Sequence, residues 1–513
     1  MKGKSLLPTT LRVLALLFVY CAARLDLWGK LGAPTFGWRP TDLAGIAINY
    51  YRNGFHFAYP QVMWGGAGLG HVEMEFPLQP FATALLFKLF GLHDGLNVAL
   101  PLAFGFGIVC VVTEFGRHLF GEIAGFAAGL NLALSPTLVY ITSTGMWPDP
   151  PMVFFGTLGL YLLTRWSEGG SRRTLAAGVA SVSLAILCKL TALYLGFPVL
   201  WLFIRRYGKD FWRAPSTWLS AAAMLLPPAL WYAHAYALYL EDGNTFGILA
   251  AGYLKFPTLE LLKQGDIYQH ALVRISVYHL TPIGFVAFGY GLYLALKRRL
   301  ALPLIWFGAI VLHTFVVWAG IQYGGHIGYL LPILPICNLL AGLGFRDFVR
   351  IVREKTAGRF GPRAYAAALG VLLVLVAADA LAAARRLNGR DLAFETVLWQ
   401  KKKRTGLEVA KVTEPGSLII VVDDEMDKVD QKHSMTPPDV FFFGDRRGWY
   451  LSLAWLSSEK IEQLRREGAR YLVVSLQSVD KFEAEHAELS DYLNRHFRKV
   501  AEQDGIVYAL GAK

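Results

Sequence analysis

The stretch Pro77-Leu78-Gln79-Pro80-Phe81-Ala82-Thr83-Ala84-Leu85-Leu86-Phe87-Lys88-Leu89-Phe90 decides how the rest of the chain is threaded. Its apolar run is about fourteen residues long and carries Lys88. It is too short for a hydrocarbon core roughly 30 Å thick, which takes about 20 residues of helix. Counted as a membrane span, it would invert every later loop and place the basic clusters outside. Read as a helix lying in the outer interface, it leaves those clusters on the side of Lys2 and Lys4, as the positive-inside rule requires. We adopt the interfacial reading.

Outward from this segment, apolar runs fall at approximately 13–31, 95–114, 121–139, 151–165, 174–188, 191–204, 216–236, 276–296, 301–319, 327–345 and 365–384. They make about eleven expected transmembrane helices. Arg117 and His118, Arg165 with Arg172 and Arg173, Arg205 with Arg206, Lys297–Arg299, and the cluster from Arg346 to Arg363 all fall on the inner side. Lys2 and Lys4 precede an apolar stretch from Val13 without a well-formed cleavage site, which reads as a retained first helix with a cytoplasmic N-terminus.

The 513 residues are 54% hydrophobic and 17% charged, with mean hydropathy +0.39, whereas a soluble domain carries roughly 25% charged residues. Disorder, collagen-like repeats and a secreted disulfide scaffold are excluded. The net charge of +12 sits in short loops between apolar runs, so it is a topology signal and does not point to nucleic acid. Cys21, Cys110, Cys188 and Cys337 lie in apolar runs without CxxC spacing and imply neither a disulfide framework nor a metal site.

From about residue 386 the chain becomes charged and mixed. Leu418–Val422, Tyr471–Ser475 and Ile506–Leu510 read as strands. Ser457–Glu467 and roughly Val479–Phe497 read as helices. The alternation predicts a small α/β domain over residues 386–513 on the outer face, beside a helical membrane domain over 1–385.

The first external loop, about 32–94, is too long and too patterned to be a simple connector. Leu43, Ile46, Ala47 and Tyr50 recur at helical spacing and predict a surface helix from Leu43 to Arg52, with Asp42 in its first turn. An ionised carboxylate at a water–lipid boundary is a candidate general base; the alternative is a helix cap. Glu73 and Glu75, two residues apart, project to one side if extended and suit a divalent cation or a sugar; the alternative is a solvated loop strand. Asp149, after Trp147-Pro148, sits at an external helix entry, again with capping as the alternative. Lys189 interrupts two apolar runs at an external turn, a costly place for a cation unless an anion such as a lipid phosphate meets it, or unless it snorkels. His326 and Tyr329, one turn apart, open the tenth span from outside.

These residues resemble the GT-C membrane glycosyltransferases, in the branch containing protein O-mannosyltransferases and the lipid A aminoarabinose transferase. The carriers, over about residues 10–345, are Asp42, Glu75-Phe76-Pro77, Leu119-Phe120-Gly121, Ser135-Pro136, Pro148-Asp149, Lys189-Leu190-Thr191 and His326 through Pro335. Two departures stand out: Asp42 is followed by Leu43 where the best-known members have an acidic pair, and Glu75-Phe76-Pro77-Leu78 replaces Glu-Lys-Pro-Pro. The resemblance implies inverting transfer of a sugar from a polyprenyl-phosphate donor to a glycan, lipid or protein acceptor at the outer leaflet of a cell inner membrane, with the C-terminal domain periplasmic. It implies Asp42 as base, with Asp149 also in the catalytic set. Lys189 and Arg39 would hold the phosphate, with Arg52 a weaker substitute. Glu73, Glu75, His326 and Tyr329 would line the substrate site, and Glu75 would be a candidate ligand of a divalent metal ion. The competing class is a transporter or flippase for a lipid-linked sugar. It calls for polar residues deep in several spans and for repeats between the halves; no repeat is evident, and the notable charges sit at external ends.

Overall fold

The structure is a computed structural model and describes residues 8–25, 37–250, 258–316, 327–387, 393–424 and 437–511. The deciding segment forms a 13-residue helix, Leu78–Phe90, entered from Pro77 and ended by Gly91 with φ +82°. At 1.5 Å per residue it is about 20 Å long, short of a bilayer core. Gln79, Thr83 and Phe87 are buried on one face, while Leu85, Leu89 and Phe90 are exposed. The buried face packs on the Trp38–Asn53 helix, with the Phe81 and Tyr50 rings edge-on at 5.3 Å. One-sided burial with an apolar outer face is the pattern of an interfacial helix.

Most of the other described residues up to Leu387 are helical. Among the described residues, two helices are long and apolar enough to cross a membrane, Asp94–Phe120 and Pro362–Arg386, or up to four if each bent pair is one span. Eleven uninterrupted spans are therefore not what helix length and composition give. The run expected at 121–139 is split into Glu122–Ala133 and Pro136–Ser143, bent by 55° at Ser135-Pro136. The run expected at 276–296 is a helix from Pro282 that meets the preceding Tyr268–His279 segment at 104°. Proline explains both breaks, because its ring and missing N–H end the incoming helix. Close helix contacts are made by small residues: a Cβ added at Gly291 would lie 1.8 Å from Leu340 O on the Ile333–Phe360 helix.

Charges sort to one end of this bundle. Arg12 pairs with Glu122, Arg117 with Glu114 at 2.7 Å, Arg205 with Glu168 at 3.1 Å and Arg350 with Asp347 at 2.8 Å, while Arg346 Nη1 donates to Phe120 O at 2.8 Å. The Asp149–Ser167 helix, 19 residues or about 28 Å long, runs from the opposite end to this one.

The C-terminal region is a mixed five-stranded sheet. Its strands are β3 (Leu418–Asp423), β4 (Arg447–Ser452), β5 (Ala469–Ser475), β6 (Arg498–Ala501) and β7 (Gly505–Ala509), in the order β4-β3-β5-β7-β6. β3 pairs in parallel with β4 and β5, whereas β7 pairs antiparallel with β5 and β6. Two further short strands, β1 (Val72–Glu73) and β2 (Asn244–Thr245), pair in parallel in the N-terminal half of the chain. One face of the five-stranded sheet is covered by the domain's own residues, including Ile461, Leu464, Phe482 and Leu493. The other face shares a core with the segment around residues 43–74: Ile419, Val421, Val473 and Val507 pack in one cluster with Leu43, Ile46, Ala47 and Met74. Backbone hydrogen bonds close this junction, from Gly66 N to Gly448 O at 2.7 Å and from Gly448 N to Met63 O at 3.1 Å.

Candidate active site

Asp42 is the fifth residue of the Trp38–Asn53 helix, which starts earlier than its apolar periodicity indicates. Gly37 stands at the N-cap with φ +105°, so Asp42 neither caps the helix nor lies in its first turn. Its carboxylate is buried and accepts a hydrogen bond from Trp64 Nε1 at 2.9 Å. Burial pushes this carboxyl well above the usual carboxylate range. The Trp64 hydrogen bond and Arg39 pull the other way, and Asp439 adds to the rise.

Arg39, one turn before Asp42, lies over the Phe246 ring at 4.1 Å and pairs with Glu75 Oε2 at 3.7 Å. Glu75 borders a narrow cleft with Leu43, Met74, Pro148, Pro151 and Cys188. The chain around Glu75 is fastened at both sides, since Phe76 N donates to Leu187 O at 3.2 Å and Trp231 Nε1 donates to Met74 O at 3.1 Å. Leu187 is one residue from the end of the Arg172–Cys188 helix, so the same junction sets the start of the Lys189 turn.

Pro148 holds the N-cap of this helix and Asp149 is its first residue, so Asp149 is not the cap. It accepts instead from Lys189 Nζ at 2.7 Å, with side-chain exposures of 3% and 14% that put the pair out of bulk water. The Lys189 ammonium also lies 4.6 Å from the centroid of the Tyr329 ring. A Cβ on Gly328 would lie 3.5 Å from Asp149 Oδ2, so the Ile327–Leu330 turn closes over the pair. Arg39 and Glu75 are within Coulombic reach of Asp149, which joins the two halves of the site.

Glu73 and Glu75 do not act as a pair. Glu73 is fully buried and accepts from the Thr245 hydroxyl, from Ile248 N and Ala250 N at 3.3 Å, and from Leu249 N. It clamps the segment that carries Phe246, and so supports the surface on which Arg39 stacks. Arg52 lies elsewhere, in a half-exposed ion pair with Asp445 at 2.5 Å. His326 falls outside the described residues. Among the described residues, no three His, Cys, Asp or Glu side chains gather as metal ligands. Glu75, the candidate metal ligand, has the Arg39 guanidinium as its paired neighbour.

Sequence reasoning missed Trp64, Phe246 and Asp439. Trp64 and Phe246 carry no motif, and their part in the site depends on contacts far along the chain. Asp439 is completely buried; burial pushes its carboxyl up to about 7, against the opposing effect of Lys402, and it meets the Asp42 helix through Thr41.

The family model of dolichyl-phosphate-mannose-protein mannosyltransferase matches residues 75–232, the stretch from Glu75 through Asp149 and Lys189. No curated protein sequence matches the chain. The structure is similar to the crystal structure of ArnT from Cupriavidus metallidurans bound to undecaprenyl phosphate, over 98% of both chains, with a TM-score of 0.65 and 16% identity. It is also similar to the archaeal oligosaccharyltransferase AglB from Archaeoglobus fulgidus in complex with an inhibitory peptide and a dolichol-phosphate, over 98% of this chain and 74% of that one, with a TM-score of 0.55 and 11% identity. At these identities the likeness is one of fold. Residues 75–232 are thus similar to the protein mannosyltransferase family, and the chain as a whole shares its fold with ArnT.

Proposed function

We propose that the protein is a GT-C membrane glycosyltransferase that moves a sugar from a polyprenyl-phosphate donor to an acceptor hydroxyl on the outer face of the membrane, with inversion. The observation that carries the reading is the meeting of two cations, Arg39 and Lys189, with three carboxylates, Asp42, Glu75 and Asp149, at the bundle end away from the basic clusters. Nucleotide sugars are cytosolic, so a donor used on the outer side is one already carried across on a lipid. The lipid phosphates named in the ArnT and AglB structures support the same donor class.

In the reaction, the acceptor oxygen attacks the anomeric carbon as its proton passes to Asp42, and the bond from that carbon to the phosphate oxygen breaks. Asp42 suits a base because burial raises its proton affinity while Trp64 keeps the carboxylate oriented. Lys189 and Arg39 stabilise the charge that develops on the departing lipid phosphate. Asp149 and Tyr329 hold Lys189 for that task, and Glu75 holds Arg39. The proposed arrangement has residues 1–385 as the membrane domain, with a cytoplasmic N-terminus, and residues 386–513 on the outer face.

The test compares polyprenyl-phosphate lipids and envelope glycans by mass spectrometry in cells making wild type or Asp42→Asn at equal levels. A lipid-linked sugar that accumulates in the variant while one glycan loses the same sugar supports the reading and names both substrates. Unchanged lipids and glycans in the variant would remove Asp42 as base.

A further inference from the structure

The helix that carries Asp42 is held by more than the membrane domain. Asp439 opens the Asp439–Gly444 helix of the C-terminal domain, and Val440 and Phe441 of that helix enter the same core as Leu43, Ile46 and Ala47. Thr41, the neighbour of Asp42, places its hydroxyl 3.1 Å from Gly37 O and 3.3 Å from Asp439 Oδ1, so one proton serves two acceptors. The other oxygen, Asp439 Oδ2, is buried without a hydrogen-bond partner. A buried acid left half-satisfied costs stability, and such costs gather at functional sites.

The charged surroundings are few. Lys402 from the Ala393–Val412 helix and Asp423 from β3 face Asp439, and Asp42 faces it from the other side. Nearby charges are engaged elsewhere: Lys403 lies over the Phe443 ring at 5.1 Å, Asp445 pairs with Arg52, and Arg446 is bonded to Thr413.

We propose that Asp439 is a positioning residue for sugar transfer: through Thr41 it fixes the Asp42 helix and sets a second buried acid beside the base, so that the site is complete only with the C-terminal domain docked. This rests on the reading of Asp42 as the base. A negative neighbour strengthens the hold of a carboxylate on its proton, and removing that charge weakens it.

The experiment uses the full-length protein in lipid nanodiscs. The infrared carboxyl band that vanishes in Asp42→Asn is titrated in wild type and in Asp439→Asn, and glycan sugar content is measured in cells making each variant. In Asp439→Asn the Asp42 midpoint falls, with native melting behaviour and several-fold less sugar incorporated. Thr41→Val loses incorporation to a similar extent and Thr41→Ser restores it, a rescue that general destabilisation would not give. An unmoved midpoint with normal incorporation in Asp439→Asn overturns the proposal. If Asp439→Asn does not fold, normal incorporation in Thr41→Val overturns it instead. Full incorporation in Asp42→Asn sinks the base reading and this proposal together; an inactive Asp42→Asn beside unaffected Asp439→Asn and Thr41→Val sinks this proposal alone.

Discussion

Lys189 Nζ donates to Asp149 Oδ1 across 2.7 Å. The cation follows the end of the Arg172–Cys188 helix, where the helix dipole favours positive charge, and the carboxylate stands at the start of the preceding Asp149–Ser167 helix, where the dipole favours negative charge. Each charge is therefore favoured by the dipole of the helix it flanks, and the ammonium is fixed by its carboxylate partner.

Breaking this pair from one side strands a buried charge. Lys189→Met and Asp149→Asn singly are each expected to cost about 3–5 kcal/mol of stability, while the double variant recovers most of it. Activity separates from stability: the double variant stays at least about 100-fold down in kcat/KM for the lipid-linked donor, because the phosphate has lost its cation. Thermal melting and transfer kinetics on the three proteins check this, and a double variant with wild-type kinetics refutes it.

Trp64→Phe removes the hydrogen bond to Asp42 and keeps most of the ring packing. That bond favours the ionised carboxylate, so its loss raises the proton affinity of Asp42 further. The acid limb of the pH–rate profile should move to higher pH, opposite in sign to Asp439→Asn. A profile that moves to lower pH or stays in place contradicts the role given to Trp64.

Glu73→Gln swaps an oxygen for an amide nitrogen in a nest of backbone N–H donors. Leaving donors unpaired costs about 1–3 kcal/mol. Hydrogen exchange at Ile248, Leu249 and Ala250 should accelerate, and activity should fall through the loosened Phe246–Arg39 stack. Protected amides in the variant would show that Glu73 is not the clamp.

Asp439, with its carboxyl raised to about 7, also links stability to pH. Between the ordinary carboxylate range near 4 and about 7 the folded chain binds the proton that the unfolded chain has released. The stabilisation is full below about 4, declines as pH rises through that window, and is lost above about 7. Asp439→Asn should flatten that slope in chemical denaturation of the C-terminal domain; a slope equal to that of wild type argues against it.

Much of the scaffold was legible locally. The short length and Lys88 of the Pro77–Phe90 segment foretold a helix too short to span a membrane, and a 13-residue helix is found at Leu78–Phe90. Apolar runs of β-branched residues foretold β3, β5 and β7. β4 escaped notice because Arg447-Gly448-Trp449 breaks any alternation, and its pairing is set by β3 on one side and by the segment around residues 43–74 on the other. The site divided in the same way. Asp42, Asp149 and Lys189 drew attention as charges in apolar surroundings, but which partner each one takes is long-range information. The Trp64 bond spans 22 residues, the Lys189 bond 40 and the Asp439 contact 398. Glu73 and Glu75 looked equivalent by alternation, and only the fold turns one toward backbone amides and the other toward arginine.

The core shared by the loop around residues 43–74 and the sheet also has a consequence in time. Leu43, Ile46 and Met74 leave the ribosome early, whereas their partners Ile419, Val473 and Val507 lie near the end of the chain. At about 5–20 residues per second, the loop waits on the order of twenty seconds to a minute for them. Until then its apolar face has nothing to cover it except lipid. A chain cut short before the last strand would carry Asp42 and Lys189 yet offer quality-control proteases an unfinished loop.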